Sequence, residues 1–197
     1  MTTSLQIEEL QRVKILRITS QDGTNRLTSE FVLSLTEAIA ELTTGTQGLV
    51  ITGSNKFFSA GADLEEISGL GGASAYAFAK MGQCLMRTVE DYPAPVYAAI
   101  SGYCMGGGLD LALACHYRIA SSHSVFGHRG AALGLITGWG GTQRLPRLVG
   151  KGTALEMFVA AEKVNATYAF RIGLVDGICE EPVQECVRRI LAAQHRD

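Results

Sequence analysis

Two glycine-bearing stretches and one carboxylate carry most of the chemistry that this sequence can offer. The first stretch runs Tyr97-Ala-Ala-Ile-Ser-Gly-Tyr-Cys-Met-Gly-Gly-Gly-Leu-Asp-Leu-Ala-Leu-Ala-Cys115. Its apolar start, Tyr97 to Ile100, predicts a buried strand; Gly102 and Gly106 to Gly108 predict a turn; Leu109 to Cys115 is rich in helix formers. Strand, glycines and helix, in that order, bring unpaired backbone amides and the positive end of a helix dipole to one place, where negative charge is favoured. Asp110 falls in the first turn of that helix. It is either an acid/base group or a carboxylate placed there to suit the dipole. Taken alone, the triplet reads first as a turn packed against another element, and it fits neither GxGxxG nor GxxxxGK[ST].

A second stretch, Phe57-Phe58-Ser59-Ala60-Gly61-Ala62-Asp63-Leu64, also follows a strand-like run, Gly48 to Gly53, and precedes helical sequence. Two such turns, each after a strand, can aim two N–H donors at one oxygen, which is an oxyanion hole in the general sense.

The wording around these turns, FFSAGADL, SGYCMGGGLDLALACHYRIAS and FGHRGAALGLITGWGGTQRLPRLVG, resembles the crotonase superfamily, the enoyl-CoA hydratase/isomerase family. Asn25-Arg26-Leu27 near the start and Ala169 to Asp176 near the end extend the resemblance over nearly the whole chain. It implies an α/β fold, a spiral of ββα units with flanking helices. It also implies an acyl-CoA thioester substrate, whose carbonyl oxygen is held by the Ala62 and Gly107 amides while an enolate forms. Coenzyme A is then part of the substrate, and no separate cofactor is expected. A homo-oligomer, trimer or hexamer, is expected as well.

Hydratases of the family use two glutamates. By resemblance the first position is Asp110, and the second falls at Gly130, where FGHRG replaces the usual FGxPE. Water addition calls for one group to handle water and another to handle the α-proton. With the second carboxylate absent, the expectation is an isomerase or a one-carboxylate variant rather than a standard hydratase. His128, beside the empty position, is a candidate base or water holder, because histidine titrates near neutrality; a structural histidine is the alternative. Other enolate chemistry through His128 (decarboxylation, C–C cleavage or thioester hydrolysis) and a non-catalytic acyl-CoA-binding subunit are the competing readings. The implied catalytic set is Ala62, Gly107, Asp110 and His128. The implied substrate-binding set is Arg26, Lys56, Ala60, Ala62, Asp63, Leu64, Gly107, Gly130 and Gly138. Tyr103 and Trp139 come near the pocket by resemblance, with packing as their default role.

These residues need a scaffold, and the composition supplies one. The chain has 197 residues, 47% hydrophobic and 18% charged, with a net charge of −2, which suits one globular domain and gives no pull toward nucleic acid or anionic membrane. No apolar stretch reaches the ~20 residues of a membrane helix. The start, Met1-Thr-Thr-Ser-Leu, lacks the basic and apolar parts of an export signal, so a cytoplasmic protein is expected. Cys84, Cys104, Cys115, Cys179 and Cys186 form no CxxC pair and lie mostly in apolar context, predicting buried thiols; no metal is expected.

Along the chain, Leu5 to Leu10 and Val13 to Ile18 predict a hairpin. Ser29 to Leu42 predicts a helix capped by Thr28 or Ser29, with Phe31, Val32, Leu35, Ile39 and Leu42 inward and Gly45 closing it. Ser68 to Ala73 predicts a mobile loop, Ser74 to Glu90 a helix, and Leu174 to Ile178 a strand. Glu65-Glu66 and Arg188-Arg189 read as surface charge. The expected domain spans 1–197 with its core at about 1–180, short of the C-terminal helices usual in the family.

Overall fold

The structure, a computed structural model, describes residues 2–43 and 48–194. In chain order the elements are β1 (Thr3–Leu10), β2 (Val13–Ser20), β3 (Arg26–Leu27), α1 (Ser29–Glu41), β4 (Leu49–Thr52), β5 (Phe57–Ser59), β6 (Gly61–Ala62), α2 (Leu64–Ser68) and α3 (Gly72–Glu90). Then come β7 (Val96–Ile100), β8 (Tyr103–Met105), α4 (Gly107–Ala114), β9 (Tyr117–Ala120), β10 (Val125–Gly127), a 3-10 turn (Gly130–Leu133), α5 (Gly141–Val149), α6 (Lys151–Ala160), β11 (Val164–Asn165), α7 (Ala166–Arg171), β12 (Gly177–Ile178) and α8 (Pro182–Gln194).

The repeat predicted from the sequence has a clear spatial meaning. Strands β4, β7 and β9 lie side by side and parallel in a six-stranded sheet ordered β1-β2-β4-β7-β9-β12. The strands that follow them, β5, β8 and β10, lie in a second sheet ordered β11-β10-β8-β5. Each ββα unit therefore gives one strand to each sheet, and the chain advances by one parallel step per unit.

The larger sheet is covered on both faces, which explains why every residue of β4 and β7 is buried. Leu49, Ile51, Ala98 and Ile100 point into the main core with Phe31, Leu35 and Ile39 of α1 and Leu85, Met86 and Val89 of α3. Their neighbours Val50, Tyr97 and Ala99 point the other way, against Cys186, Val187 and Ile190 of α8. This is the two-residue alternation of a strand, here with apolar residues facing both ways.

Local signals behave as physical chemistry requires. The Thr28 hydroxyl accepts from the Phe31 amide at 3.2 Å and caps α1. Gly45, expected to close that helix, lies outside the described residues. The expected loop Ser68 to Ala73 shrinks to Gly69–Gly71, because Ser68 ends α2 and α3 begins at Gly72. The expected strand Leu174 to Ile178 is only Gly177–Ile178; Leu174 and Val175 are instead buried in a turn, their amides bonded to the Ala169 carbonyl at the end of α7. All five cysteines are free thiols, with Cys104, Cys115 and Cys186 buried as expected but Cys84 exposed on α3. Glu66 is more than surface charge: its carboxylate accepts from the Ser29 amide at 2.9 Å and the Ser29 hydroxyl at 2.6 Å, latching α2 onto the N-terminus of α1. Arg188 and Arg189 pair with Glu185 within α8, as ordinary helix-surface charge.

Candidate active site

The two glycine turns meet. Gly61 has φ +95° and Gly106 has φ +51°, left-handed values that suit glycine and that set the direction of the next amide, Ala62 and Gly107 respectively. A Cβ built on Gly107 would lie 3.2 Å from the Ala62 nitrogen, so the two turns are in van der Waals contact. Gly107 is the first residue of α4, so its N–H has no partner within the helix.

Each turn is braced from behind. Buried Asn25, itself at φ +53°, donates from Nδ2 to the Phe57 carbonyl at 2.9 Å, and the Ser59 hydroxyl donates to the Asn25 carbonyl at 2.7 Å. The Gly106 amide donates to the Gly127 carbonyl at 2.9 Å, tying the second turn to the end of β10. Trp139 backs Gly107: its indole occupies the space that a Cβ would need on Gly82 of α3, and it comes within 2.6 Å of one on Gly107.

Asp110 sits one helical turn beyond. Every residue of α4 after Gly107 is buried, so the helix is apolar all round except for this carboxylate, which is 1% exposed. The Thr137 hydroxyl donates to Oδ2. His128 Nε2 stands 3.3 Å from Oδ1, and neither of those two atoms closes an aligned hydrogen bond with any other described group. Burial raises Asp110 from the ordinary 3.8 to about 7, against the pull of the Thr137 hydroxyl, Arg144 and the Gly141 amide. Burial also lowers His128 to about 4, so the imidazole is uncharged at neutral pH. That corrects the expectation of a histidine titrating near neutrality.

Strand register explains the meeting. Parallel β8 and β10 pair Cys104 with Phe126 and Met105 with Gly127. His128 follows directly on one strand, while α4 begins just beyond the other and carries Asp110 back over the same spot. Gly141 completes the arrangement from α5, because a side chain there would collide with Oδ1.

A cavity of about 840 Å³ opens onto these groups. Ala60, Ala62, Leu64, Gly107, Asp110, His128, Gly130 and Gly138 line it, as do Tyr103 and Trp139. Arg26, Lys56 and Asp63 do not. Arg26 instead pairs with Asp22 at 3.5 Å and Asp63 at 3.6 Å, Asp63 caps α2 through the Glu65 and Glu66 amides, and Lys56 is exposed on the loop before β5. Among the described lining residues Asp110 is the only carboxylate, and Leu133, Leu135 and Ile136 surround the Gly130 side.

Thr137, Gly141, Phe158 and Lys163 were not singled out from the sequence. Thr137 and Gly141 lie in the glycine-rich run that opens α5. Phe158 of α6 meets the His128 ring at a centroid distance of 5.1 Å, and Lys163 lies over the Tyr103 ring at 5.0 Å. No local pattern marks either residue as part of a site.

A sequence profile described as enoyl-CoA hydratase/isomerase matches residues 9–195. The chain belongs to the enoyl-CoA hydratase/isomerase family. Among curated relatives of this family member, a crotonyl-CoA hydratase of Syntrophomonas wolfei is 38% identical over 177 residues, covering 88% of this chain and 68% of the relative. A probable enoyl-CoA hydratase of Bacillus subtilis is 42% identical over 154 residues, covering 77% of this chain and 60% of the relative. Among solved structures, an enoyl-CoA hydratase from Bacillus anthracis superposes with a TM-score of 0.90 at 30% identity, over 95% of this chain and 75% of that one. The likeness fits the crotonase-type arrangement of ββα units expected from the sequence. Among the described residues, no helix is long and apolar enough to cross a membrane.

Proposed function

We propose that this family member acts on acyl-CoA thioesters by proton transfer at the acyl chain, with Asp110 as its acid/base. The thioester carbonyl oxygen sits between the Ala62 and Gly107 amides. As Asp110 takes the α-proton, the C–H electrons pass into an enolate whose charge falls on that oxygen. Fixed amides suit this task because they are oriented before the charge appears, and removing one such donor costs other enzymes about 3–4 kcal/mol.

One observation favours double-bond isomerisation over hydration: Asp110 is the only carboxylate among the described lining residues, and Gly130 itself carries no side chain. A single base can move a proton from one carbon to another of the same acyl chain, whereas adding water needs a second group to manage the water. Burial that lifts Asp110 to about 7 supports the reading, since a base is most effective when it titrates near the working pH.

The test is deuterium incorporation at the α- and γ-carbons of 3-enoyl-CoA thioesters in heavy water, run beside hydration of crotonyl-CoA. Incorporation with shift of the double bond, lost by about a hundredfold or more in Asp110→Asn, is the expected result. Hydration as fast as isomerisation in the wild type would overturn the preference, and exchange that persists in Asp110→Asn would remove Asp110 from its role.

A further inference from the structure

The carboxyl of Asp110 is held differently at its two oxygens. Oδ2 receives the Thr137 hydroxyl, whereas Oδ1 closes no aligned hydrogen bond and has His128 Nε2 at 3.3 Å, with the Gly141 backbone beside it. Both side chains are almost wholly shut away, 1% and 5% exposed, so each unpartnered atom carries a desolvation cost that its neighbour can offset. In structures without substrate, hydrogen bonds that serve catalysis are often long or misaligned and tighten on binding.

We propose that His128 is a positioning residue, donating from Nε2–H to Asp110 Oδ1, so that Thr137 and His128 grip one carboxylate oxygen each. This rests on the reading of Asp110 as the acid/base. With both oxygens held, the plane of the carboxyl is set. Each oxygen keeps a second lone pair, one of which can take the proton from the acyl chain. The proton accounting is simple: the substrate C–H breaks, an Asp110 O–H forms, and the imidazole keeps its own proton throughout. A histidine that stays uncharged suits this role better than that of a base, and burial keeps His128 uncharged.

Besides His128, the Thr137 hydroxyl, Arg144 and the Gly141 amide favour the ionised carboxylate. Gly141 leaves the space beside Oδ1 open, and a side chain there would displace the carboxylate. The titratable groups that bear on Asp110 are His128 after β10, Arg144 on α5 and the Cys104 thiol on β8, the last raised well above its ordinary value by burial. Of these, His128 alone lies within hydrogen-bonding reach of Oδ1. Losing its N–H removes support from the ionised carboxylate more than from the neutral acid, so Asp110 then holds its proton to higher pH.

The experiment measures α-deuterium exchange into butyryl-CoA in heavy water from pH 5 to 9 for wild type, His128→Leu, His128→Gln and Asp110→Asn, with kcat and KM resolved. Glutamine carries an N–H donor at the reach of Nε2 but is no base. His128→Leu is expected to lose tenfold to about a hundredfold in kcat with little change in KM, and its rising limb moves to higher pH. His128→Gln is expected to recover most of the rate and return the limb toward wild type.

A glutamine variant as poor as leucine, or a leucine variant with the wild-type limb and rate, overturns the proposal. Exchange that survives in Asp110→Asn overturns the Asp110 reading itself, and so separates the two failures. As a check independent of folding of the variants, nitrogen-15 spectra of the wild-type imidazole should show an uncharged Nε2–H tautomer at neutral pH. An Nδ1–H tautomer would also sink the idea.

Discussion

Two buried ionisable side chains, Arg118 and Asp110, are held by their partners in opposite ways. Arg118 of β9 is almost fully buried, and each polar group of its guanidinium has a place: Nε donates to the Leu174 carbonyl at 2.9 Å, Nη1 to the Cys115 carbonyl at 2.7 Å, and Nη2 to Asp176 at 3.3 Å. Asp176 also accepts from the Arg118 backbone amide at 2.7 Å. This pair fastens β9, the end of α4 and the turn before β12 together. Asp110 and His128 are just as buried, yet each keeps an atom with no aligned partner, and both face a cavity. Buried polar groups are nearly always satisfied, so the exception, more than the burial, sets this pair apart.

That contrast can be broken at either end. The largest effect on stability is expected at the satisfied pair. Arg118→Met orphans the Leu174 and Cys115 carbonyls, at about 1–3 kcal/mol each when no water reaches them. A loss on the order of 3 kcal/mol in urea unfolding is expected, with exchange activity per folded molecule unchanged. An activity loss larger than the stability loss would mean that the two pairs are coupled.

A second effect lies in the pH dependence of stability. Asp110 is raised from 3.8 to about 7, so its contribution falls as pH rises through that window; His128 is lowered from 6.5 to about 4, so its contribution falls as pH drops through its own. Between about pH 4 and 6.5 the two nearly cancel in the wild type. In His128→Leu the Asp110 contribution stands alone, and stability relative to wild type should fall as pH rises, by up to ~1.4 kcal/mol per pH unit. In Asp110→Asn the sign reverses, and relative stability should fall as pH drops. Melting temperatures over this range would show the two opposed slopes, and parallel slopes would break the comparison.

The smallest effect is expected at Glu90, which pairs with Arg144 at 2.7 Å but is half exposed. Glu90→Gln should cost less than about 0.5 kcal/mol, as surface pairs do. It frees the guanidinium to act on Asp110, so the exchange limb should move slightly toward lower pH. A shift the other way would show that Arg144 does not sense the carboxylate.

Much of the scaffold was legible because it rests on local rules. The hairpin of β1 and β2, the Thr28 cap and the inward face of α1 follow from alternation, capping and helical periodicity. Errors fell where a local rule competes with a tertiary one. Glycine and serine over Ser68 to Ala73 suggest a loop, yet Ser68, Gly72 and Ala73 are helical, and the Ser74 hydroxyl accepts from the Gly71 amide at the start of α3. Leu174 and Val175 look like strand residues, but the turn after α7 captures their amides.

At the site, the sequence by itself determined the parts: two strand–glycine–turn units, one acidic residue in a first helical turn, and no carboxylate at position 130. Those follow from residue type and from neighbours along the chain. Only the tertiary structure decided that Asp110 meets His128, that Thr137 reaches the other oxygen, and that Gly141 leaves room for both. The cause is the parallel register of β8 with β10 and the return of α5 over α4, contacts between segments distant in sequence. The electrostatics follow from the same packing, because an aspartate rises to about 7 only when the surrounding helices and strands exclude water from it.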